Sequence, residues 1–524
     1  MSDQKNPKDN QEHAPEVQIP LAELIKNRRQ KVRDLAEKHI NSYPYRYEFT
    51  HYISDLLANF EQLSSEETII RATGRIILKR KMGKSFFAHM RDASGMMQIY
   101  LKLDAVGQDL FDLFNVLDLG DIIGVEGTLF TTRTGEKTIA VKSLELLSKS
   151  LHPLPDKHHG LSDVESRYRR RYADLIVNPE VRDVFIMRTR IIQTIRNFLN
   201  EEGFLEVETP ILQPLYGGGM ARPFMTHHEK LDMPMYLRIA DELYLKRLIV
   251  GGYDKVWEFC KDFRNEGLDR LHNPEFSMIE MYWAYADYRD MANLFENLLR
   301  KTVHAIRGSY KITYGDMEVD FEQPFRWVTM IGSIKEATGV DFTDFTYEQA
   351  IDAAKKLGIE TEDLINRGKV IEAVWEAKVE PTIVQPTFIA DFPVEISPLA
   401  KKHRKDDRLT ERFELFIARQ EMGNAFSELN DPMDQLERFI QQGKALEAGD
   451  EEAQPLDDDF ITALAYGMPP TAGLGFGIDR LIMLLTNQHT IRDVVFFPQM
   501  RDMKEGSVPV SKILASILDE EKEQ

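Results

Sequence analysis

Apolar residues recur at helical spacing between Leu21 and Ile40, where Leu21, Leu24, Ile25, Val32, Leu35 and Ala36 share a face and basic side chains fill much of the other. Tyr43-Pro44-Tyr45 ends that helix, and residues 21–66 read as a helical extension. Ahead of it, residues 1–20 are rich in Lys, Asp, Asn, Gln and Pro without apolar periodicity, and are expected to form a disordered tail. From Thr68 the period shortens to two. Alternating, β-branched runs at Thr68–Leu78, Ser85–Arg91, Met96–Lys102, Asp121–Thr131 and Glu136–Leu147 predict five strands, with turns at Ala93-Ser94-Gly95 and Arg133-Thr134-Gly135. Between the third and fourth runs, Leu110, Phe111, Phe114, Val116 and Leu117 predict a short amphipathic helix over Gln108–Leu119.

Three strands, a helix and two further strands is the order of a five-stranded Greek-key barrel of the OB type, which binds single-stranded oligonucleotides. The barrel is expected at 67–150. Pro153 and Pro155 mark a linker at 151–160, and residues 161–524 mix long helices with strands without a repeat, as a large α+β domain with insertions.

Composition narrows the function. Of 524 residues, 43% are hydrophobic and 29% charged, enough for a sizeable core. The longest purely aliphatic run, Leu481-Ile482-Met483-Leu484-Leu485, is far too short to span a membrane. The first twenty residues include Asp3, Asp9, Glu12 and Glu16, unlike a signal or transit peptide. Cys260 is the only cysteine, which excludes an intrachain disulfide and a cysteine-based zinc site and suggests a reducing cytoplasm. The net charge of −20 disfavours indiscriminate DNA coating or anionic membranes. Local basic patches remain, at Arg28-Arg29 with Lys31 and Arg33, at Lys79-Arg80-Lys81 with Lys84, and at Arg167 with Arg169-Arg170-Arg171; each is equally well read as a solvated face. Gly83-Lys84-Ser85 is not a P-loop, because the upstream glycine position holds Leu78. Gly473-Leu474-Gly475-Phe476-Gly477 lacks dinucleotide-binding spacing, and neither His158-His159 nor His227-His228 has metal-ligand geometry.

Three segments carry candidate chemistry. The first is a hairpin. Val256–Arg264 and Glu275–Tyr282 read as strands, with Trp257, Phe259 and Phe263 facing a core and Arg264 and Glu266 opposite. On the return strand Phe276, Met278, Glu280 and Tyr282 share a face, gathering an arginine, an aromatic plate and a carboxylate that suit a ligand with phosphate, purine and cation. The second spans Arg412–Pro432, read as two strands around a turn at Glu421-Met422-Gly423-Asn424, with Asn424, Phe426 and Glu428 on one face. If the strands pair, Glu414, Glu421 and Glu428 surround one cavity, and Glu414 with Glu421 fit a magnesium–nucleotide site. The third runs from Gly473 into an apolar helix opened by Ile478-Asp479-Arg480, where Arg480 is placed to stack on a purine or pair with phosphate. A surface hairpin, a solvated acidic edge and an ordinary helix start are the plainer readings of the three.

Together with Phe204-Leu205-Glu206-Val207-Glu208-Thr209-Pro210 upstream, the set resembles the class II aminoacyl-tRNA synthetases. Within that class the chain is similar to the lysyl-tRNA synthetases over nearly its full length. The specific matches are Lys157-His158-His159-Gly160-Leu161, the Arg167–Asp174 run, Ala221-Arg222-Pro223-Phe224-Met225-Thr226-His227-His228, Ser397-Pro398-Leu399-Ala400-Lys401 and the Gly423–Pro432 run. The resemblance implies an antiparallel catalytic sheet flanked by helices, an OB domain that binds the anticodon of tRNA(Lys), and a cytoplasmic homodimer with Phe204–Pro210 at its interface.

It also implies roles. Arg264 would hold the α-phosphate and the amino-acid carboxylate, Glu266 would read the adenine amino group, and His272 would approach the terminal phosphates. Phe276 and Arg480 would sandwich the purine. Gly218 and Glu242 would hold the lysine α-amino group, Asn424 would lie near the carboxylate, and Glu280, Tyr282 and Glu428 would enclose the ε-ammonium. Two or more Mg²⁺ ions would use Glu414 and Glu421, with ATP as substrate and no zinc. Arg75, Phe87 and Gln98 match anticodon-contacting positions, while Ser143 stands where many relatives carry an acidic group. Gly217-Gly218-Gly219 replaces a more usual Gly-Gly-Ala.

The implied reaction activates L-lysine as lysyl-adenylate and transfers it to the 3′ end of tRNA(Lys). Two readings compete. An aspartyl- or asparaginyl-type synthetase shares the barrel and core, but aspartate would require cations where Glu280 and Glu428 stand. A catalytically silent tRNA-binding paralogue would not need Arg264, Glu414, Glu421 and Arg480.

Overall fold

The structure is a computed structural model, and it describes residues 20–155, 161, 163–447, 454–501 and 509–523. The N-terminal tail up to residue 19, most of the Lys157–Leu161 motif and the acidic stretch from 450 to 453 lie outside the described residues. Two compact units result: one from the chain before residue 163 together with the C-terminal helix Val510–Glu523, the other from residues 163–501.

In the first unit, helix α1 (Leu21–Glu37) precedes strands β1 (Ile70–Met82), β2 (Ser85–Arg91) and β3 (Met96–Lys102), helix α2 (Leu103–Val116), and strands β4 (Ile122–Thr131) and β5 (Lys137–Ser148). The five strands close into a barrel in the order β1-β2-β3-β5-β4. Every second side chain of β2 is buried, and Ile76, Phe86, Ile99, Phe114 and Val125 meet in one core. β1 runs four residues past the expected Leu78, with a bulge between Ile76 and Leu78, and α2 begins five residues earlier than its apolar stripe suggested, interrupted at Gly107 with φ of 81°.

The expected domain from 161 to the C-terminus is divided by this arrangement. The last helix sits on α1, where Lys26 pairs with Glu520 at 2.6 Å and Arg29 and Arg33 reach Glu521 at 2.8 and 2.9 Å. The C-terminal helix, whose acids lie 492–494 residues downstream of Lys26 and Arg29, therefore takes up part of the basic face of α1, a pairing that the basic face alone does not disclose.

The second unit is organised by an eight-stranded sheet. Its strands are β6 (Leu205–Glu206), β7 (Lys255–Phe263), β8 (Glu275–Ala284), β9 (Arg326–Thr329), β10 (Thr387–Ala390), β11 (Arg412–Ile417), β12 (Gln420–Ser427) and β13 (Thr471–Gly477), in the spatial order β9-β10-β11-β12-β13-β8-β7-β6. The six inner strands are antiparallel, and a parallel strand lies at each edge. One face is apolar. Trp257, Ile279, Met281, Leu474, Phe476, Ala425, Phe413 and Leu415 pack there against helices α3 (Pro179–Glu201), α5 (Tyr288–Arg307) and α6 (Ile478–Thr486). Residues 330–383 form a satellite core around Phe342 and Trp375, joined by Ile389, Phe392, Ile396 and Phe416. The expected turn at 421–424 lies instead at Ala418-Arg419, both at positive φ, which makes Glu421 through Asn424 part of β12. Among the described residues, no helix is long and apolar enough to cross a membrane.

Candidate functional site

The second face of the sheet carries the chemistry. Strand register brings Glu258, Glu280, Gly475, Asn424 and Glu414 into one row across β7, β8, β13, β12 and β11. The neighbouring row holds Tyr282, Gly473, Phe426 and Arg412. This face opens into a cavity of about 420 Å³, lined by Gly218, Glu242, Arg264, Glu266, His272, Phe276, Glu280, Tyr282, Glu414, Glu421, Asn424, Glu428 and Arg480. Every candidate assigned to the amino acid, the nucleotide or the metal therefore borders one space.

At the deep end, Glu280 and Glu428 are buried and the Tyr282 hydroxyl donates to Glu280 Oε2 at 3.1 Å. Burial, reinforced by Glu242 and Asp262, pushes the Glu280 carboxyl well above the usual carboxylate range. Burial raises Glu428 to about 8 against the pull of Lys246. Glycines make room for these groups: a Cβ on Gly475 would land on Glu280 Oε1, and one on Gly473 on Glu428 Oε1. Gly218, at φ 82°, carries its N–H to Gln454 Oε1 at 3.1 Å beside Glu242, and a Cβ there would press on the Glu242 and Ala240 side chains.

The sequence reading missed Lys246. It lies on helix α4 (Glu242–Val250), fully buried, 2.5 Å from Glu242 Oε1 and in an ion pair with Glu428. Burial lowers the affinity of this ammonium for its proton, but the two carboxylates more than offset that and hold it above its ordinary value. Its helical i, i+4 spacing from Glu242 was readable, whereas the approach of Glu428 depends on tertiary structure. A second unforeseen group adjoins the pocket, which Asp262 lines: the ligand atoms of Asp241, Cys260 and Asp262 come within 4.8 Å of one another. Burial pushes Asp241 well up, with Glu280 and Asp262 adding to the shift, and lifts Asp262 to about 7 despite Arg238 and Arg264.

The outer half of the cavity suits a nucleotide. The Arg264 guanidinium lies over the Phe276 ring at 5.1 Å. Arg480 donates to the Glu421 carbonyl at 2.8 Å and to its carboxylate at 3.1 Å, and its other terminal nitrogen meets His272 Nε2 at 3.2 Å. His272 is oriented from the other side by Asp269, 2.7 Å from Nδ1. Glu266 is exposed at the rim. Glu414 is paired with Arg412 at 2.5 Å, and Arg412 also donates to Asn424 Oδ1 at 2.9 Å. Burial lifts the Glu414 carboxyl to about 7, Arg412 opposes the shift, and Glu421 and Glu372 add to it.

The barrel candidates divide. Phe87 and Tyr100 lie 4.7 Å apart by ring centroid and Phe130 is 5.9 Å from Tyr100, an aromatic platform of the kind on which bases stack. Gln98 donates to Glu136 Oε2 at 2.6 Å, and His89 reaches the other Glu136 oxygen at 2.7 Å. The acid beside Gln98 is thus Glu136, while Ser143 faces Glu126 in the β4–β5 ladder. Arg75 is not brought to this platform. It pairs with Arg91 in register and donates to the Gly120 carbonyl at 2.7 Å, whereas Arg80 is the residue opposite Phe87. Members of two basic patches are also engaged within their own units: Arg167 and Arg171 grip buried Asp174 at 2.9 and 2.8 Å, and Lys79 donates to the carbonyls of Phe114, Asn115 and Leu117.

An antiparallel sheet sealed by helices on one face and open to an arginine-lined cleft on the other, in a chain that also carries an OB barrel, is the build of a class II tRNA synthetase. The chain belongs to that family: a family model described as tRNA synthetases class II (D, K and N) matches residues 163–501, and one described as OB-fold nucleic acid binding domain matches residues 70–147. Within the class it belongs with the lysine–tRNA ligases. It is 54% identical over 482 residues to the lysine–tRNA ligase of Carboxydothermus hydrogenoformans, covering 92% of this chain and 98% of that one. It is 52% identical to that of Pelotomaculum thermopropionicum (92% and 95% covered) and 51% identical to that of Bacillus subtilis (92% and 98% covered).

Proposed function

We propose that this pocket joins L-lysine to ATP as lysyl-adenylate and passes the lysyl group to the 3′ end of tRNA(Lys). The observation that carries the substrate assignment is the burial of Glu280, Glu428 and Tyr282 together at the deep end of the cavity that Arg264 also lines. Two carboxylates and a phenol around one ammonium reject uncharged side chains, because such a ligand leaves buried polar groups unpaired; sites built this way discriminate by about 10⁴–10⁵.

In the reaction, the lysine carboxylate attacks the ATP α-phosphorus and pyrophosphate leaves; the terminal adenosine 3′-hydroxyl of tRNA then attacks the adenylate carbonyl and releases AMP. Arg264 holds the lysine carboxylate and the α-phosphate together, with Asn424 beside the carboxylate. Gly218 and Glu242 take the α-amino group, and Glu280, Tyr282 and Glu428 take the ε-ammonium. Phe276 and Arg480 enclose the purine, Glu266 reads its amino group, and His272, steadied by Asp269, meets the terminal phosphates. Catalysis is then positioning and charge stabilisation, with no protein nucleophile.

The acidic excess at Glu414, Glu421 and Glu372 fits a divalent cation, because a cation offsets the burial, and the added carboxylate repulsion, that raise the Glu414 carboxyl. Bound there, Mg²⁺ would neutralise phosphate charge on ATP. In the barrel, Phe87, Gln98 and the neighbouring Glu136 support anticodon contact, and Arg80 is better placed than Arg75 to join them. A homodimer through the 204–212 region is supported by Leu205, Ile211 and Leu212, which stand exposed at and beyond the β6 edge. Lysine, ATP and tRNA as substrates support a cytoplasmic location.

Amino-acid-dependent ATP–pyrophosphate exchange tests the reading. Lysine should support exchange, ornithine weakly, and leucine, aspartate and asparagine not at all; exchange with asparagine or aspartate in place of lysine would overturn the assignment.

A further inference from the structure

The three carboxylates given to the substrate lysine do not stand alone. Glu242 and Glu428 come from a helix and from the strand end beyond β12, and the group that joins them is Lys246. Its Nζ is 2.5 Å from Glu242 Oε1 and ion-paired with Glu428 Oε2, and it is screened from solvent over the Phe426 and Phe460 rings at 5.4 and 5.9 Å. Lys246 is fully buried and does not line the cavity, whereas both of its partners do. It therefore touches the two substrate-facing acids from behind.

Charge counting shows what this does. Once lysine has entered and displaced their protons, Glu242, Glu280 and Glu428 together carry three negative charges; one fixed ammonium leaves two, which equals the positive charge of a lysine substrate with its α- and ε-ammonium groups. Without the fixed ammonium, Glu242 and Glu428 would face each other, Glu280 and Asp262 across a buried space, and such clusters relieve themselves by taking up protons. A protonated acid donates where the substrate ammonium needs an acceptor.

We propose that Lys246 is a positioning residue for amino-acid recognition: it ties Glu242 to Glu428 from behind the pocket, holds both acids in register and offsets one of the three carboxylate charges, so that the pocket presents two net negative charges to a bound diamino acid. The proposal rests on the lysine-binding reading above and adds a residue to it. The groups that face this assembly are Glu242 and Asp241 from the start of α4, Glu280, Tyr282 and Asp262 from the hairpin, and Glu428 itself.

The test compares Lys246→Met and Lys246→Arg with the unsubstituted full-length protein in lysine-dependent ATP–pyrophosphate exchange, with KM for lysine and for ATP measured from pH 6.5 to 9. Removing one partner of a buried charge pair is expected to raise the lysine KM of Lys246→Met by about 30-fold or more at neutral pH. The ATP KM should change far less, and the lysine deficit should shrink as rising pH ionises the unpaired acids. Lys246→Arg, which keeps the cation, should retain the normal pH profile. An equal rise in both KM values, or a lysine deficit independent of pH, would overturn the proposal. Should Lys246→Met not fold, Lys246→Arg decides alone: an altered lysine pH profile there is the refuting result. Failure of the unsubstituted protein to show lysine-dependent exchange would instead reject the substrate assignment.

Discussion

Gly475 and Glu280 face each other directly across the β13–β8 ladder, and the Glu280 carboxylate occupies the space a Gly475 side chain would need. The Glu428 carboxylate likewise occupies the space a Gly473 side chain would need, although Gly473 faces Tyr282 and Phe426 in the ladders. The glycine strand thus lets two carboxylates lie flat on the sheet beneath the ligand. Gly475→Ala should leave the fold intact, because the added methyl meets a side chain rather than backbone, but it should displace the acid that receives the ammonium. Overpacking of about 1–3 kcal/mol corresponds to a lysine KM raised by about tenfold or more, with ATP binding little affected. Steady-state exchange kinetics for both substrates checks this.

The same glycines show how far the sequence could be read. Period-two alternation located both hairpins and put Phe276, Met278, Glu280 and Tyr282 on one face, which the β7–β8 register bears out. The order of barrel elements was equally legible, because each strand has its own local pattern. Pairing between distant segments was not. Nothing local says that Glu521 meets Arg29, that Glu136 meets Gln98, or that Glu428 reaches Lys246. The turn at Ala418-Arg419 was hidden for another reason: positive φ at two residues without glycine has no strong sequence signature, whereas Gly423 looked like a turn and is a strand residue pressed against Phe476. Arg75 was assigned by resemblance, but its guanidinium is committed to the Gly120 carbonyl.

Replacing one acid of the ammonium seat should separate the two substrates. Glu428→Gln leaves Lys246 with one carboxylate partner and removes an acceptor from the lysine ε-ammonium; Glu280→Gln leaves Tyr282 donating to an amide. Losing one partner of a buried charged contact costs about 2–5 kcal/mol. The expected outcome is a large rise in lysine KM with little change in ATP KM. Equal effects in the exchange assay would contradict the placement of the ammonium.

Raised carboxyl pKa values predict proton release on lysine binding. Glu428, at about 8, and Glu280, held well above its ordinary value, carry protons near neutrality in the free protein. A bound dication favours their ionised forms, so protons leave as lysine enters. Titration calorimetry near pH 7 in buffers of different ionisation enthalpy should report that release, and lysine affinity should rise with pH through about 8. The stability of the free protein follows the opposite course. The Glu428 contribution is fully present below the unfolded value of 4.5 and is lost as pH rises through about 8, so the gain in melting temperature from saturating lysine should grow over that window. A lysine affinity independent of pH would remove the basis for this linkage.

Apolar exposure at the sheet edge predicts assembly. Leu205 is on the edge strand, and Ile211 and Leu212 follow it with similar exposure. A buried like-charge contact is expected to disfavour pairing of two copies through this region, so Leu205→Glu with Leu212→Glu should shift the protein from dimer to monomer in sedimentation velocity while its melting transition persists. A protein that sediments identically with and without the two charges does not dimerise through this edge.

Magnesium dependence probes the remaining acids. Glu414 and Glu421 now pair with Arg412 and Arg480, yet Glu414 is still raised to about 7 because Glu421 and Glu372 add to its burial. Glu421→Gln removes one carboxylate of this group and leaves the Arg480 bond to the Glu421 carbonyl in place. Glu414→Gln removes the other and releases part of Arg412. Because altering even outer-shell partners costs about 10–100-fold in metal affinity, each variant should need about tenfold more Mg²⁺, or more, to reach half-maximal exchange. The lysine KM at saturating Mg²⁺ should stay near that of the unsubstituted protein, since the ammonium seat at Glu280 and Glu428 is untouched. Unchanged Mg²⁺ titrations for both variants would move the metal site elsewhere in the cleft.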